Sequence, residues 1–333
     1  MMQSLRDAAT HSPTIRRAAS LLELARALLA RRKHGAHSLE ALGATLRAAR
    51  FAYPFPAGSI MGRHVTSALR EARFDNLAWN RFFPETEEPL INHGIILKAP
   101  SPYERGVLLI TFEYQWLRLL RHGNLTALAR DYELVLSPTW SPPWDLPMAT
   151  VAALWPGERI FTLLSNFEDE EVYRRFHPKL RPVPLLASSW VDPDIHTGDR
   201  VAKEFDVAMV ANFAPYKRHG AFFAALAAAR KQGRKLRALL AGVRWQGRTA
   251  QSLQAMANEY GVGDQIVIRE NLSDDDLRTS VRSARTAAIF SLIEGSCVAA
   301  AECLLLDVPL AMLANAHIGS KAFINEQTGR LLR

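Results

Sequence analysis

The stretch "SLIEGSCVAAAECLLLDVPLAML", residues 291–313, reads as a strand end, a turn of small residues, an apolar helix and a second strand. It carries two carboxylates, Glu294 and Glu302, eight positions apart. Glu294 falls where the strand ends, and Gly295 after it permits a tight turn and close approach of a ligand. A helix beginning near Ser296 presents free N–H groups and the positive end of its dipole to an anion. With 3.6 residues per turn, an all-helical interval would separate the two glutamates by about 80°, so that both could line one cleft. The structural alternative for Glu302 is pairing with an arginine or a place on the polar helix edge. An unpaired charge inside an apolar segment is costly.

Outward from this stretch, the second half of the chain repeats one unit. Strands are expected at "FDVAMVANF" (205–213), "RALLAG" (237–242), "QIVIREN" (265–271), "TAAIFSL" (286–292) and "VPLAML" (308–313). Helices between them are closed by Gly233 and Gly261, or opened by Ser273 as N-cap with acids in the first turn. Repeated βα winding implies a parallel sheet that binds ligands beyond the carboxyl ends of its strands. In the first half, "GVLLITF" (106–112), "YELVLSP" (132–138) and "RIFTLLSNF" (159–167) read as buried strands, and "QWLRLLRHGNLTALARD" (115–131) as helix. This alternation implies a second parallel sheet with both faces covered. The polar stretch after "VPLLASSW" (183–190) marks a domain boundary. Three segments follow: an N-terminal helical segment (1–50), a first Rossmann-like domain (51–192) and a second (200–333).

Residues 14–50 are rich in Ala, Leu and Arg, with Leu21, Leu24, Leu28 and Leu29 near one helical face. The preferred reading is a surface helix packed on the domain; the other is a basic amphipathic helix resting on anionic lipid.

The 333 residues are 48% hydrophobic and 22% charged, a globular balance able to form large cores. A net charge of +8 suits an anionic partner. The positive charge is scattered and no nucleic-acid motif appears, so no nucleic-acid partner is expected. The only cysteines, Cys297 and Cys303, match no zinc or redox spacing and read as reduced thiols in a cytoplasmic protein. No transmembrane span or secretory signal is predicted. The dinucleotide fingerprint, the P-loop, the G-x-S-x-G elbow and H-E-x-x-H are all absent, and no metal or other cofactor is expected.

The loop "APYKRHG" (214–220) follows the first strand of the second half. Lys217 and Arg218 there can neutralise a diphosphate, although a solvated charge pair before a helix is the plainer alternative.

Taken together, residues 205–333 resemble the retaining GT-B glycosyltransferases of family 4, the group 1 type. The resemblance rests on Ser291, Glu294, Gly295, Glu302 and Val308–Pro309, on Lys217 upstream, on the intervening order of elements, and on "HIGSKAFINEQTGRLL" (317–332) downstream. It implies an α/β, GT-B-like fold: two Rossmann-like parallel-sheet domains facing a cleft. It implies transfer of a sugar, of hexosyltransferase type, from a nucleoside diphosphate sugar to a carbohydrate, lipid-linked or protein acceptor, with retained configuration. Cell-envelope polysaccharide synthesis in the cytoplasm is the setting it suggests, with peripheral contact at the inner face of the membrane as the second reading of the N-terminal helix. Position by position, Lys217 would bind the donor diphosphate and Glu294 the donor sugar. Glu302 would hold the ribose, and Gly295, Ser296 and Cys297 would approach sugar or phosphate. The family's phosphate-binding arginine falls at Asn212, with Arg218 as a substitute, and Asp307 stands where glycine is usual. The nearest acceptor-side glycine-rich loop is "AGSIMGRH" (57–64). The family's usual C-terminal helices beyond "GRLL" are missing. Two alternatives remain: a non-catalytic binding protein on this fold, and a sugar-nucleotide epimerase on the same architecture.

Overall fold

The computed structural model describes residues 12–56, 58–74, 94–138, 145–197 and 201–333. The chain divides into two compact units, the first ending at Ala187 and the second beginning at Ser188.

The first unit opens with three helices, α1 (Pro13–His34), α2 (Leu39–Ala52) and α3 (Ile60–Glu71). The single helical stretch expected over 14–50 is thus two helices. Gly35, at φ 90, ends the first, and the Ser38 hydroxyl accepts from the Ala41 N–H to start the second. In the candidate glycine-rich stretch 57–64, the described residues lead into α3: Ser59 caps the helix by accepting from Gly62 N–H, and residues 60–64 are helical.

The sheet of this unit comprises β1 (Gly94–Lys98), β2 (Gly106–Thr111), β3 (Tyr132–Ser137), β4 (Ile160–Leu164) and β5 (Leu180–Leu186), in that spatial order. Strands β2 to β5 are parallel; β1, the short apolar run at Ile95–Leu97 that the sequence reading did not name, is an exposed antiparallel edge. Between the strands lie α4 (Glu113–His122), α5 (Leu125–Asp131), α6 (Leu146–Leu154) and α7 (Glu170–Phe176). The helix expected over 115–131 breaks at Gly123, where the Asn124 side chain accepts from Ala127 N–H and starts α5. Strands β2 to β5 follow one another without reversal.

Helix α1 corrects the leucine reading. Ser20, Glu23 and Ala27 are its buried residues. Ser20 donates to Ala48 O of α2 at 3.0 Å, and Glu23 pairs with Arg47 at 2.9 Å and with Arg26. Leu21, Leu22, Leu28 and Leu29 are 55–67% exposed. Small and paired polar side chains let the two helices approach closely, which leaves the bulky leucines on the opposite, outward face.

The second unit is wound in both directions. Its strands are β6 (Val207–Val210), β7 (Ala238–Gly242), β8 (Ile266–Glu270), β9 (Ala287–Ile289), β10 (Leu310–Leu313) and β11 (Gly329–Leu332), in spatial order β11-β10-β9-β6-β7-β8. All neighbouring pairs run parallel. Helices α8 (His219–Lys231) and α9 (Ala250–Glu259) bring Phe222, Phe223, Leu226, Leu253 and Ala257 against Val207, Met209 and Leu240. On the other face, Leu277 of α10 (Asp274–Arg282) packs near Ala208, Leu239 and Ala241. There too Ala300, Cys303 and Leu306, from α11 (Val298–Leu305) and its end, pack with Ile289, Leu310 and Met312. Alternate strand residues point to opposite faces, which is why neighbours such as Met209 and Ala208 enter different cores. Gly233 at φ 80 and Gly261 at φ 71 follow α8 and α9, and the Ser273 hydroxyl caps α10 by accepting from Asp276 N–H, all as read from the sequence.

Candidate functional site

In the second sheet the strand order reverses between β6 and β9: the chain leaves β6 toward β7 and β8, then resumes at β9 and moves away through β10 and β11. The loops after these two strands diverge to opposite faces and leave a crevice at the carboxyl ends, where doubly wound sheets bind ligands. Lys217 lies after β6 and Glu294 after β9. They meet across this point, with Lys217 Nζ 2.6 Å from Glu294 Oε2. Their side chains are 16% and 10% exposed. Burial alone would lower the Lys217 pKa; the Glu294 carboxylate outweighs it and holds the pKa above the ordinary lysine value. The second carboxylate oxygen, Glu294 Oε1, is buried with no hydrogen-bond partner. A buried acceptor without a donor is uncommon and marks a place where a ligand hydroxyl can bond.

The turn that positions Glu294 is held by backbone bonds to 317–320. Glu294 N–H donates to His317 O at 3.1 Å, Gly319 N–H to Gly295 O at 2.9 Å and Ser320 N–H to Ser296 O at 3.1 Å. Two details differ from the sequence reading. The left-handed residue of the turn is Cys297, at φ 55, and Gly295 is not among the residues with positive φ. Ser296 is buried, and its hydroxyl is engaged with Ser188, accepting from Ser188 N–H at 2.7 Å and lying 2.6 Å from Ser188 Oγ. It secures the start of this unit rather than facing the crevice. Cys297 precedes α11 with no side-chain cap, and burial pushes its thiol pKa upward.

The remaining expected residues separate. Arg218, itself left-handed at φ 60, donates to Phe290 O at 3.1 Å, tying the loop after β6 to the end of β9. Burial lowers its pKa. Asn212 accepts from Ala214 N–H and donates to the Tyr216 hydroxyl, both at 3.3 Å, so it shapes the loop and adds no charge. Glu302 is half-buried beside a different cavity, of about 130 Å³, bordered also by His196, Asp274 and Arg278. Since Glu294 precedes the helix, the helical angle between the two glutamates does not apply. Among the described residues, no group of three His, Cys, Asp or Glu could hold a metal ion.

Two features escaped the sequence reading. Tyr216 and Trp245 form an exposed edge-to-face pair, and Lys217 Nζ lies 5.4 Å from the Tyr216 ring centre. Tyr216 was visible inside "APYKRHG", but nothing local joins it to Trp245 after β7. His219 is buried with neither ring nitrogen hydrogen-bonded, and burial beside Arg248 and Lys217 lowers its pKa to about 3.

Lys217, Glu294 and the αβ winding around them coincide with a known segment. Residues 194–333 match the family described as Glycosyl transferases group 1. No curated protein matches the chain. Among solved structures, sucrose-phosphate synthase from Thermosynechococcus elongatus is 15% identical, with 84% of this chain and 68% of that one covered and a TM-score of 0.52. HepE from Anabaena, in complex with UDP, is 14% identical, with 67% and 64% covered and a TM-score of 0.52. The pneumococcal O-GlcNAc transferase GtfA, in complex with UDP and GlcNAc, is 16% identical at a TM-score of 0.44, and the chain spans 42% of its length. At these identities the likeness is one of fold: an α/β protein with two Rossmann-like parallel-sheet units, of the GT-B type.

Proposed function

We propose that this protein is a glycosyltransferase that moves a sugar from a nucleoside diphosphate sugar to an acceptor hydroxyl with retention of configuration. The observation that carries the reading is the Lys217–Glu294 pair at the reversal of strand order, with one glutamate oxygen buried and unbonded. Lys217 binds the diphosphate as a compact point charge. As the glycosidic bond breaks, negative charge grows on the leaving diphosphate. Lys217 and the free N–H groups at the start of α11 are already in place to stabilise it. Glu294 accepts hydrogen bonds from the donor sugar through Oε1, and Glu302 holds the ribose hydroxyls. The acceptor is a carbohydrate, lipid-linked or protein hydroxyl, as in cell-envelope polysaccharide assembly.

The reading also places the protein in the cytoplasm, at an anionic membrane surface. What supports this is the outward leucine face of α1, with Arg17 and Arg26 beside it and Arg31, Arg32 and Lys33 in the last turns. Among the described residues no helix is long and apolar enough to cross a membrane.

A nucleotide-binding protein without transfer is the second reading, favoured by the neutral Asn212 locked into its loop. Calorimetry with UDP and GDP, followed by product analysis with labelled nucleotide sugars, tests both. Binding with turnover that Glu294→Ala abolishes supports transfer; binding without turnover supports the second reading; no nucleotide binding refutes both.

A further inference from the structure

We propose that Arg248, from the loop after β7, is a second cationic contact for the donor diphosphate, a role that rests on the glycosyl-transfer reading above. A diphosphate carries negative charge on each phosphate. Lys217 meets it with its own charge balanced by Glu294 at 2.6 Å, so at longer range the pair offers an anion little net attraction. Arg218 donates to Phe290 O, and Arg244 is paired with Glu270. Arg248 stands where further positive charge is useful. The loop that carries it is bound against the loop that carries Lys217. Pairing continues past the ends of β6 and β7, with Ala211 N–H donating to Ala241 O at 3.0 Å and Phe213 N–H to Val243 O at 2.9 Å. Gly242 permits this approach, since a Cβ there would stand 1.9 Å from Ala211 O. Beyond it the chain reverses at Gln246 and Gly247, which take φ 42 and 82, and Trp245 and Arg248 exchange backbone hydrogen bonds at 2.8 and 3.2 Å. The turn brings Arg248 back toward β6.

Arg248 is buried, and its Nη1 donates to Phe213 O at 3.4 Å. Phe213 directly follows Asn212, so the guanidinium stands beside the neutral start of the loop after β6. Burial strengthens its attraction for an anion, because the surrounding dielectric is low. Its planar fork of donors matches phosphate oxygens, and one N–H can stay on Phe213 O while another reaches a ligand. His219 reports the sign of the local potential. Its ring centre lies 6.0 Å from that of Phe213, and neither nitrogen is hydrogen-bonded. Burial, then the charges of Arg248 and Lys217, keep this imidazole neutral. Both cations thus act on one small region between the two loops, and positive charge that repels a proton from His219 attracts a phosphate. The plainer role for Arg248 is an anchor that ties the turn to Phe213 O, and the variants below separate the two.

The full chain and its Arg248→Gln and Arg248→Lys variants are titrated by calorimetry with UDP and GDP, and with uridine and guanosine, which lack the phosphates. Arg248→Gln keeps an N–H donor for Phe213 O and removes the charge. It is expected to weaken binding of whichever nucleoside diphosphate the parent binds at least about tenfold, the loss of a charge-assisted hydrogen bond. Nucleoside affinity is expected to stay unchanged, and Arg248→Lys to keep most of the diphosphate affinity. Arg248→Met gives the second arm should Arg248→Gln unfold. Diphosphate affinity that the neutral variants leave unaltered would overturn the assignment. So would equal losses for diphosphate and nucleoside, or a lysine variant as weak as the glutamine one, since both mark a structural anchor. These results leave the transferase reading standing, because the parent still binds nucleotide. A parent that binds neither UDP nor GDP refutes that reading, and the role of Arg248 falls with it.

Discussion

Replacing Lys217 by Met isolates the interaction at the centre of the site. At 2.6 Å separation, and with an effective dielectric constant near 20, the Coulomb attraction of the pair is about 6 kcal/mol. Removing both groups from water costs several kcal/mol per ion, so the net worth of the intact pair is small. The truncated pair is another matter. Glu294 would keep its buried carboxylate with both oxygens unpartnered, and a broken buried pair typically costs about 3–5 kcal/mol. Lys217→Met is therefore expected to lose about 3 kcal/mol in urea denaturation, the lower end because both side chains retain some exposure. The double variant Lys217→Met/Glu294→Leu is expected to recover most of that loss. The pH dependence follows from the raised Lys217 pKa. Its contribution is complete below the ordinary value of 10.5 and is lost as pH rises through the folded value, so the effect persists throughout neutral pH. Glu294→Gln is expected to free Lys217 from its partner, leaving UDP affinity equal or tighter while turnover stops. A Lys217→Met protein as stable as its parent, with unaltered UDP affinity, would refute the assignment of this pair.

Three further outcomes are expected. Cys297→Gly relieves a left-handed φ of 55 that costs a side chain about 1–2 kcal/mol, but it also removes a packed thiol and makes the unfolded chain more flexible by about 0.4–1 kcal/mol. The urea midpoint should therefore move little, whereas Cys297→Val, β-branched at that φ, should lower it. His219 is held at a pKa of about 3 against an ordinary 6.5. The unfolded chain then binds the extra proton first, and stability should fall as pH drops below 6.5, on the order of 1 kcal/mol per pH unit. His219→Leu should flatten that acid dependence in unfolding curves taken from pH 7 to 4. Replacing Leu21 and Leu28 of α1 by Ser removes outward apolar surface without touching Ser20, Glu23 or Ala27. Co-sedimentation with anionic vesicles should drop at least about tenfold with unfolding unchanged, and equal sedimentation would argue against a membrane-facing α1.

Much of the second unit was legible because its signals are local. Ser273, Gly233 and Gly261 bound their helices through caps and positive φ, and strands such as 237–242 stand out as short buried runs. Lys217 and Glu294 could be named from the loops they occupy. The first unit was less legible. The edge strand 94–98 is a three-residue apolar run without alternation, and its exposure as an antiparallel edge depends on pairing that no local pattern shows. The order of strands β2 to β5 is a matter of pairing between distant segments.

By itself, then, the sequence determined the βα winding of residues 205–313 and the two loops that carry the charged residues. Hydrophobic period and turn chemistry act within a few residues. Tertiary structure decided the rest. It chose which face of α1 is buried, because close helix packing accepted Ser20 and Ala27 and left the leucines outside. It bound the Ser296 hydroxyl to Ser188, 108 residues away. It also brought Lys217 to Glu294 across 77 residues, since only the reversal of strand order makes β6 and β9 neighbours.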